Sequence, residues 1–260
     1  MEVVILADAA AVGDLVADTI TALLRQRPDA VLGVATGSSP QPVYRELVAR
    51  HRAGDVSFSR SRVFLLDEYV GLPPGHSQSY RAAIARDFTD HVDLAPGAVQ
   101  GPDVHAADLI GACQEYERAI AAAGGIDLQL LGIGADGHVG FNEPSSSLGS
   151  RTRIKTLSER TRRDNARFFG TVDQVPCHVV TQGVGTILDA RHLVLVATGD
   201  AKAEPVARAV EGPVTAMVPA SALQLHPHAT VVVDDVAAAR LTLADYYRDV
   251  FAAKPGWQAL

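Results

Sequence analysis

Short apolar segments alternate with longer amphipathic segments along most of this chain. Six apolar runs have the length and composition of buried β-strands, and they lie at 3–6, 31–36, 63–66, 128–133, 193–198 and 230–233. Segments with the apolar spacing of helices, such as 11–26 and 108–123, lie between these runs. This alternation predicts an α/β fold with a mostly parallel sheet and helices on both of its faces.

Composition and charge narrow the class of protein. The 260 residues are 47% hydrophobic and 20% charged, and no linker rich in Pro, Gly or Ser divides them, so we predict one domain. A net charge of -7 argues against nucleic-acid and anionic-membrane partners. No apolar run approaches the roughly 20 residues of a membrane helix, and no basic signal-peptide start is present, so we expect a cytoplasmic protein. Cys113 and Cys177 form no C-x-x-C pair, which predicts neither a disulfide nor a zinc site.

Unusual loops follow four of the predicted strands, at 37–40, 67–69, 132–144 and 199–202. Ligands of parallel α/β sheets bind beyond the carboxyl ends of the strands, so these loops are candidate binding elements. The first loop reads Gly37-Ser38-Ser39-Pro40, and its small residues and hydroxyls ahead of a helix favour an anion. A simple turn in which Ser39 caps the helix explains the same residues equally well.

Positive charge is concentrated in one part of this acidic chain. Lysine is scarce, so Lys202 is conspicuous in the last of the strand-end loops. A run of cations usually forms a solvated helix face, but this concentration favours a compact anion such as a phosphoryl group. The run consists of Arg151, Arg153, Lys155, Arg160, Arg162, Arg163 and Arg167.

The segment GIGADGHVGFNEP, at 132–144, matches the G-x-G-x-x-G fingerprint of a dinucleotide-binding turn. That turn should open a helix, with an acidic residue about 20 positions further on for the ribose. Gly140 and Pro144 interrupt any helix here, and positions 151–155 read RTRIK. We therefore reject the dinucleotide interpretation.

Acid–base chemistry is the other interpretation of this segment. His138 can take and return a proton near neutral pH, and Asp136 and Glu143 are close enough in sequence to orient it. Asp67, at another strand end, offers a separate carboxylate base. An Asx-turn at Asp136 with an ordinary loop histidine is the structural alternative. Asp, His and Glu also bind metals, but nothing in their spacing is diagnostic, and we predict no metal.

Four long motifs resemble the glucosamine-6-phosphate deaminase family. They are LLDEYVGLPPGHSQSY (65–80), LLGIGADGHVGFNEPSSSL (130–148), SRTRIKTL (150–157) and LQLHP (223–227). The resemblance runs from about residue 3 to about residue 250. It implies a single Rossmann-like α/β domain over 1–260 that converts glucosamine 6-phosphate and water to fructose 6-phosphate and ammonia without a cofactor.

The same resemblance implies roles for individual residues. Asp67 matches the base that moves a proton between C2 and C1, and His138 matches the group that opens the sugar ring. Asp136 and Glu143 match the partners of His138. The implied ligands of the substrate phosphate are Gly37, Ser38, Ser39, Arg167 and Lys202. Family members often have Gly-Gly-Thr-Pro at the first of these loops, a mild departure that keeps the hydroxyl and backbone donors.

An effector site is implied as well. Ser146, Arg153, Lys155 and Thr156 match positions that bind N-acetylglucosamine 6-phosphate between subunits in allosteric members. Those members add a tyrosine near the C-terminus, for which either Tyr246 or Tyr247 is the match. Salt bridges between subunits are the alternative role for these cations. Both hexamers and monomers occur among similar proteins, and the segment at about 151–175 is a candidate mobile lid.

Two other functions compete with this one. 6-Phosphogluconolactonases share a D-G-H loop, but they resemble D-E-R followed by S-N, whereas this chain reads DEY and then SQSY. Sugar-phosphate-sensing domains of bacterial repressors have a similar sheet behind a DNA-binding helix-turn-helix. The first predicted strand begins at residue 3, so we expect no such motif here.

Overall fold

The computed structural model describes residues 1–256, 258 and 260. The strands are β1 (Glu2–Leu6), β2 (Val31–Val34), β3 (Arg62–Leu65), β4 (Asp67–Val70), β5 (Val99–Gln100), β6 (Leu128–Leu131), β7 (Arg153–Thr156), β8 (His178–Thr181), β9 (His192–Ala197) and β10 (Ala229–Asp234). The α-helices are α1 (Ala9–Gln26), α2 (Gln41–Ala53), α3 (Tyr80–Asp87), α4 (Leu109–Ala122), α5 (Glu159–Phe169), α6 (Val184–Leu188), α7 (Ala203–Val210) and α8 (Ala244–Ala252).

Seven strands form a parallel sheet in the order β1-β10-β9-β6-β2-β3-β5. All six predicted apolar runs form strands of this sheet, and helices cover both of its faces. Its strands β2, β6, β9 and β10 are completely buried, as expected for a sheet covered on both sides. The α/β prediction is therefore confirmed.

Helix α1 shows how local signals and packing agree in this fold. The carboxylate of Asp8 accepts a hydrogen bond from the backbone N–H of Ala11 and so caps the helix. A stripe at helical spacing, which includes Val12, Val16 and Ile20, packs on the sheet. Burying each such side chain contributes about 1.5–3 kcal/mol before the entropy of ordering is subtracted.

A second sheet was not predicted from the sequence. It is antiparallel, with the order β4-β8-β7. The segment at 67–69 was predicted as a loop, but it lies in β4 and pairs with β8, so that prediction is wrong. The predicted strand at 63–66 ended at residue 66 because the two residues that follow it, Asp67 and Glu68, are charged and interrupt the apolar run. The third strand of this sheet, β7, contains Arg153 and Lys155 of the cation run.

The segment at 151–175 comprises β7, α5 and a 3₁₀ turn at Val172–Gln174. Its motion as a lid stays a prediction. No helix within the described part of the chain is long and apolar enough to cross a membrane. Cys113 is buried, Cys177 is exposed, and both are free.

Candidate active site

The carboxyl ends of β9, β6 and β2 lie side by side in the centre of the parallel sheet. The loops that follow them are the predicted binding elements at 199–202, 132–144 and 37–40. A direct bond links two of the loops, because Lys202 Nζ donates to the carbonyl oxygen of Ile133 at 2.6 Å. The fold thus brings together loops that lie far apart in sequence.

The Gly37–Pro40 loop is a candidate anion cradle. Gly37 has a φ of 113°, a conformation that side chains rarely adopt, and a Cβ there would meet no atom within 4 Å. Helix α2 begins at Gln41 behind Pro40, and no side chain caps it. Ser39 therefore does not serve as the helix cap, and the first N–H groups of α2 keep their capacity to bind an anion.

Lys202 and Arg167 lie close enough to influence each other. Burial lowers the pKa of the Lys202 ammonium, and the positive charge of Arg167 lowers it further. The carboxylates of Asp164 and Asp136 act in the opposite direction. Arg167 itself is exposed on α5, with its guanidinium 4.8 Å from the centre of the Phe168 ring. The charges of Arg167 and Asp136, which lie on separate elements, thus both act on Lys202.

The rest of the cation run does not form one anion site. Arg151 pairs with Glu117 and Asp189. Arg162 donates to the backbone carbonyls of Val172 and Val175, and Arg163 pairs with Glu159 one helical turn away. The prediction of a phosphate site from the concentration of charge is thus wrong for these three arginines, because carboxylates and backbone carbonyls of the protein already bind them.

His138 and Asp136 form a close pair at the end of β6. Nδ1 of His138 lies 2.6 Å from Oδ1 of Asp136, which also accepts the backbone N–H of His138 at 3.1 Å. Burial acts to raise the pKa of Asp136, but the hydrogen bonds and charge of His138 outweigh it and hold that pKa below its usual value. Asp136 thus orients the ring and leaves Nε2 as the nitrogen available to a substrate.

The glycines of the rejected fingerprint have a structural explanation. A Cβ at Gly134 would lie 2.1 Å from Cε1 of His138, so only glycine lets the ring lie over this backbone. Gly137 has a φ of 88° and packs against Val218. No helix follows the turn. The glycines accommodate the His138 ring and a tight turn, and the rejection of a dinucleotide site holds.

Asp67 is a buried carboxyl at the start of β4, 6% exposed. Burial raises its pKa well above the usual value, and the negative charge of Glu68 raises it further. A carboxylate with a raised pKa is a stronger base than an ordinary aspartate. Asp67 is therefore a candidate general base, and its role in proton transfer stays a prediction.

Glu68 was missed by the sequence analysis. Its two carboxylate oxygens accept the backbone N–H groups of Tyr69, Tyr80 and Arg81 at 2.8–2.9 Å. Two of these donors lie at the start of α3, where a negative charge is favoured. Glu68 thus ties α3 to β4 beside Asp67, a role that no local sequence signal reveals.

Glu143 makes its hydrogen bonds to α5. Its carboxylate accepts the N–H of Ser158 at 3.1 Å and the hydroxyl of Ser158 at 2.5 Å. The hydroxyl of Thr161 also donates to it. These bonds join the His138 loop to the helix that carries Arg167. A direct role for Glu143 as a partner of His138 stays a prediction.

Aromatic side chains line the region between β4 and α5. Tyr80 stacks on Phe141 with ring centres 5.8 Å apart, and Tyr69 lies 4.9 Å from Tyr80 and 5.4 Å from Phe169. The His138 ring lies 6.4 Å from Phe141. This cluster, drawn from four separate segments, forms an apolar wall next to the candidate catalytic groups.

The candidate effector residues lie on or near β7. Arg153 and Lys155 alternate along the strand and so share one face, while Thr156 is exposed. Burial lowers the pKa of Arg153. Ser146 is buried, and its hydroxyl has no hydrogen-bond partner among the described residues. These positions are compatible with an anion site, whose occupant stays a prediction.

Comparison with known proteins identifies close relatives. The family described as glucosamine-6-phosphate isomerases/6-phosphogluconolactonase matches residues 6–233. Proteins named glucosamine-6-phosphate deaminase from Arthrobacter sp. (strain FB24) and Mycolicibacterium smegmatis are 64% and 61% identical, over the full length of both chains. The solved structure of a monomeric glucosamine-6-phosphate deaminase is 39% identical, with a TM-score of 0.90 over 92% of this chain and all of that one. A 6-phosphogluconolactonase from Thermotoga maritima, 21% identical, shares the fold with a TM-score of 0.72 over 90% of this chain and 98% of its own.

Proposed function

We propose, from the premise that this chain belongs to the family of glucosamine-6-phosphate isomerases and 6-phosphogluconolactonases, that it acts as a glucosamine-6-phosphate deaminase. It converts glucosamine 6-phosphate and water to fructose 6-phosphate and ammonia. One observation carries the proposal in structural terms. The buried carboxyl of Asp67 and the Asp136–His138 pair occupy the same end of the fold as Lys202, whose pKa the charge of Arg167 lowers.

The cations and the Gly37–Pro40 loop hold the substrate phosphate. Lys202 and Arg167 supply two positive charges, and the uncapped start of α2 supplies backbone N–H groups. Arg167 lies on α5, so binding of the phosphate draws the 151–175 segment onto the substrate. This segment then acts as the lid that excludes water during the reaction.

His138 opens the sugar ring. With Nδ1 held by Asp136, its Nε2 takes the proton of the C1 hydroxyl and passes it to the ring oxygen as the bond between C1 and that oxygen breaks, which gives the open-chain aldehyde. Ring opening makes the C2 proton acidic because the resulting anion is conjugated with the aldehyde. The histidine thus prepares the step that Asp67 performs.

Asp67 then moves a proton from C2 to C1. When Asp67 removes the C2 proton, the C2 ammonium passes one of its protons to the C1 oxygen, which gives a neutral enolamine with a C1 hydroxyl. Asp67 then returns its proton to C1, which gives a C2 iminium. Water adds to the iminium, ammonia leaves, and the C2 ketone of fructose 6-phosphate remains. These reaction steps require correctly placed acids and bases and no electron sink. We therefore propose no cofactor and no metal.

Lactone hydrolysis by this chain is the weaker alternative. The structural relative with deaminase activity is 39% identical, whereas the lactonase is 21% identical and shows the fold alone. Tyr69 of the Asp67-Glu68-Tyr69 segment, where lactonases resemble D-E-R, belongs to the aromatic wall.

The test is incubation of the purified chain with glucosamine 6-phosphate while ammonia and ketose phosphate are measured together. We expect the two products in equal amounts. Ammonia without ketose phosphate, or neither product, would overturn the proposal.

We also propose that N-acetylglucosamine 6-phosphate binds at Ser146, Arg153, Lys155 and Thr156 and activates the enzyme. The unpartnered Ser146 hydroxyl and the two cations on one face of β7 support this assignment. The effector should lower the half-saturating substrate concentration, and Lys155→Ala should abolish that response while maximal turnover is kept. A saturation curve that the effector does not move leaves these cations with the alternative role of subunit salt bridges.

The assembly state and location are proposals of the same kind. An effector site between subunits requires a homo-oligomer such as a hexamer, whereas a monomer would have to bind the effector without a partner's tyrosine. Light scattering of the purified chain distinguishes the two. A cytoplasmic location agrees with a sugar-phosphate substrate.

A further inference from the structure

Residues 181 and 182 connect the two segments that carry the candidate catalytic groups. Thr181 is the last residue of β8, the middle strand of the antiparallel sheet, and its neighbour in the register of β4 is Asp67. The side chain of Thr181 is completely buried. Its position in the sheet thus fixes it relative to the proton-transferring carboxyl.

The hydroxyl of Thr181 also contacts the His138 loop. Its Oγ1 accepts the backbone N–H of Phe141 at 3.1 Å, three residues after His138. Gly140 lies against the same oxygen, because a Cβ built at Gly140 would be only 2.8 Å from it. The loop therefore turns directly over the Thr181 hydroxyl, with Gly140 at a φ of 55°.

A second set of buried hydrogen bonds follows the same route. Asn142 Nδ2 donates to the carbonyl oxygens of Val139 and Gln182, at 2.9 and 2.8 Å. The backbone N–H of Gln182 donates to Leu66 O at 2.9 Å, and its side-chain amide donates to Leu65 O at 3.2 Å. A continuous series of hydrogen bonds thus links residues 139–142 through residues 181–182 to residues 65–67.

We propose that Thr181 is a positioning residue that sets His138 relative to Asp67. The inference rests on the proposed deaminase function, in which His138 opens the ring and Asp67 then moves the C2 proton of the same sugar. Both groups must reach adjacent carbons of one bound molecule, and a displacement of about 1 Å can cost about a hundredfold in rate. The phosphate site is built from other segments, so substrate binding does not depend on this contact.

Thr181→Val tests the inference, since it keeps the shape of the side chain and removes the acceptor of the Phe141 N–H. We expect kcat to fall roughly tenfold to a hundredfold while KM for glucosamine 6-phosphate stays within about twofold. Thr181→Ser keeps the oxygen and should restore most of the turnover. Thr230→Val is the matched control. Thr230 is a buried threonine near the amino end of β10, opposite the carboxyl ends that carry the candidate site, and its hydroxyl is bonded to His192. It should lower thermal stability and leave kcat unchanged.

A double-mutant cycle separates positioning from general damage. In a His138→Gln background, whose residual turnover uses sugar that opens spontaneously, Thr181→Val should change kcat by less than about twofold. The same loss in both backgrounds would overturn the inference, and so would wild-type kcat in folded Thr181→Val. If Thr181→Val does not fold, Gly140→Ala replaces it in every comparison, because a Cβ at residue 140 disturbs the contact between the loop and the Thr181 hydroxyl. An inactive wild type would instead count against the proposed function.

Discussion

Lys202→Met removes one ammonium from the proposed phosphate site and keeps most of the apolar stem. In the structure, Lys202 Nζ donates to Ile133 O at 2.6 Å, while burial and the charge of Arg167 lower its pKa. An ammonium in this environment gains strongly when a phosphate dianion arrives, because the anion relieves the repulsion between the two cations.

The size of the effect follows from the kind of bond that is lost. A hydrogen bond to a charged group contributes about 1.5–3 kcal/mol, and 1.4 kcal/mol corresponds to a tenfold change. Lys202→Met should therefore raise KM for glucosamine 6-phosphate roughly 10- to 140-fold. Arg167 is exposed on α5, where a charge pair contributes about 1 kcal/mol or less, so Arg167→Ala should raise KM no more than about fivefold.

Initial rates of ammonia release, measured against substrate concentration, give KM for each variant. Lys254→Met is the matched control, since Lys254 pairs with Glu2 at the first strand, and its KM should equal that of the wild type. Turnover of unphosphorylated glucosamine, which should be very slow in the wild type, separates loss of the phosphate contact from loss of the bond to Ile133. A Lys202→Met variant that loses glucosamine and glucosamine 6-phosphate turnover in equal proportion would refute the phosphate assignment.

Three further predictions concern titratable groups. Asp67→Asn should lower kcat by about 10²–10⁴ with KM little changed, because an amide cannot accept the C2 proton; a melting curve checks that the variant is folded, and wild-type turnover would remove Asp67 from the mechanism. Glu68→Gln should move the acid limb of the kcat/KM profile to lower pH, because burial alone then raises the pKa of Asp67; an unmoved limb contradicts this coupling. Burial lowers the pKa of His192 to about 3, with further contributions from His228, His226 and Lys254. The folded protein therefore keeps His192 neutral, whereas the unfolded chain takes up a proton there below about pH 6.5. Stability should therefore fall as the pH drops from 6.5, by up to about 2 kcal/mol at pH 5, and urea unfolding of His192→Gln should show a shallower fall than the wild type.

The parallel sheet was predictable because its strands are continuous apolar runs buried on both sides. The antiparallel sheet was not, since β4 begins with two carboxylates and β7 reads RIKT, with two cations in four residues. These polar strands are held by pairing with β8, whose position depends on the whole fold. The local amino-acid composition of β4 and β7 therefore does not predict that they pair with β8.

The site was predictable to the extent that strand ends and motifs reveal it. The structure places Asp67, His138 and Lys202 at one end of the fold, as expected from their positions after apolar runs. The structural roles of Glu68 and Thr181 depend on hydrogen bonds between distant segments, so no spacing rule finds them. For Arg151, Arg162 and Arg163 the cation run was a misleading signal, because the sequence shows the arginines but not which carboxylates and backbone carbonyls bind them.

The central proposal is that this chain deaminates an amino sugar phosphate and does not hydrolyse a lactone. One preparation of the wild type, assayed in parallel with glucosamine 6-phosphate and with 6-phosphogluconolactone, tests that claim directly. We predict ammonia release that Asp67→Asn reduces by about 10²–10⁴, with lactone loss no faster than in buffer. Lactone hydrolysis faster than deamination, and sensitive to the same substitution, would contradict the account.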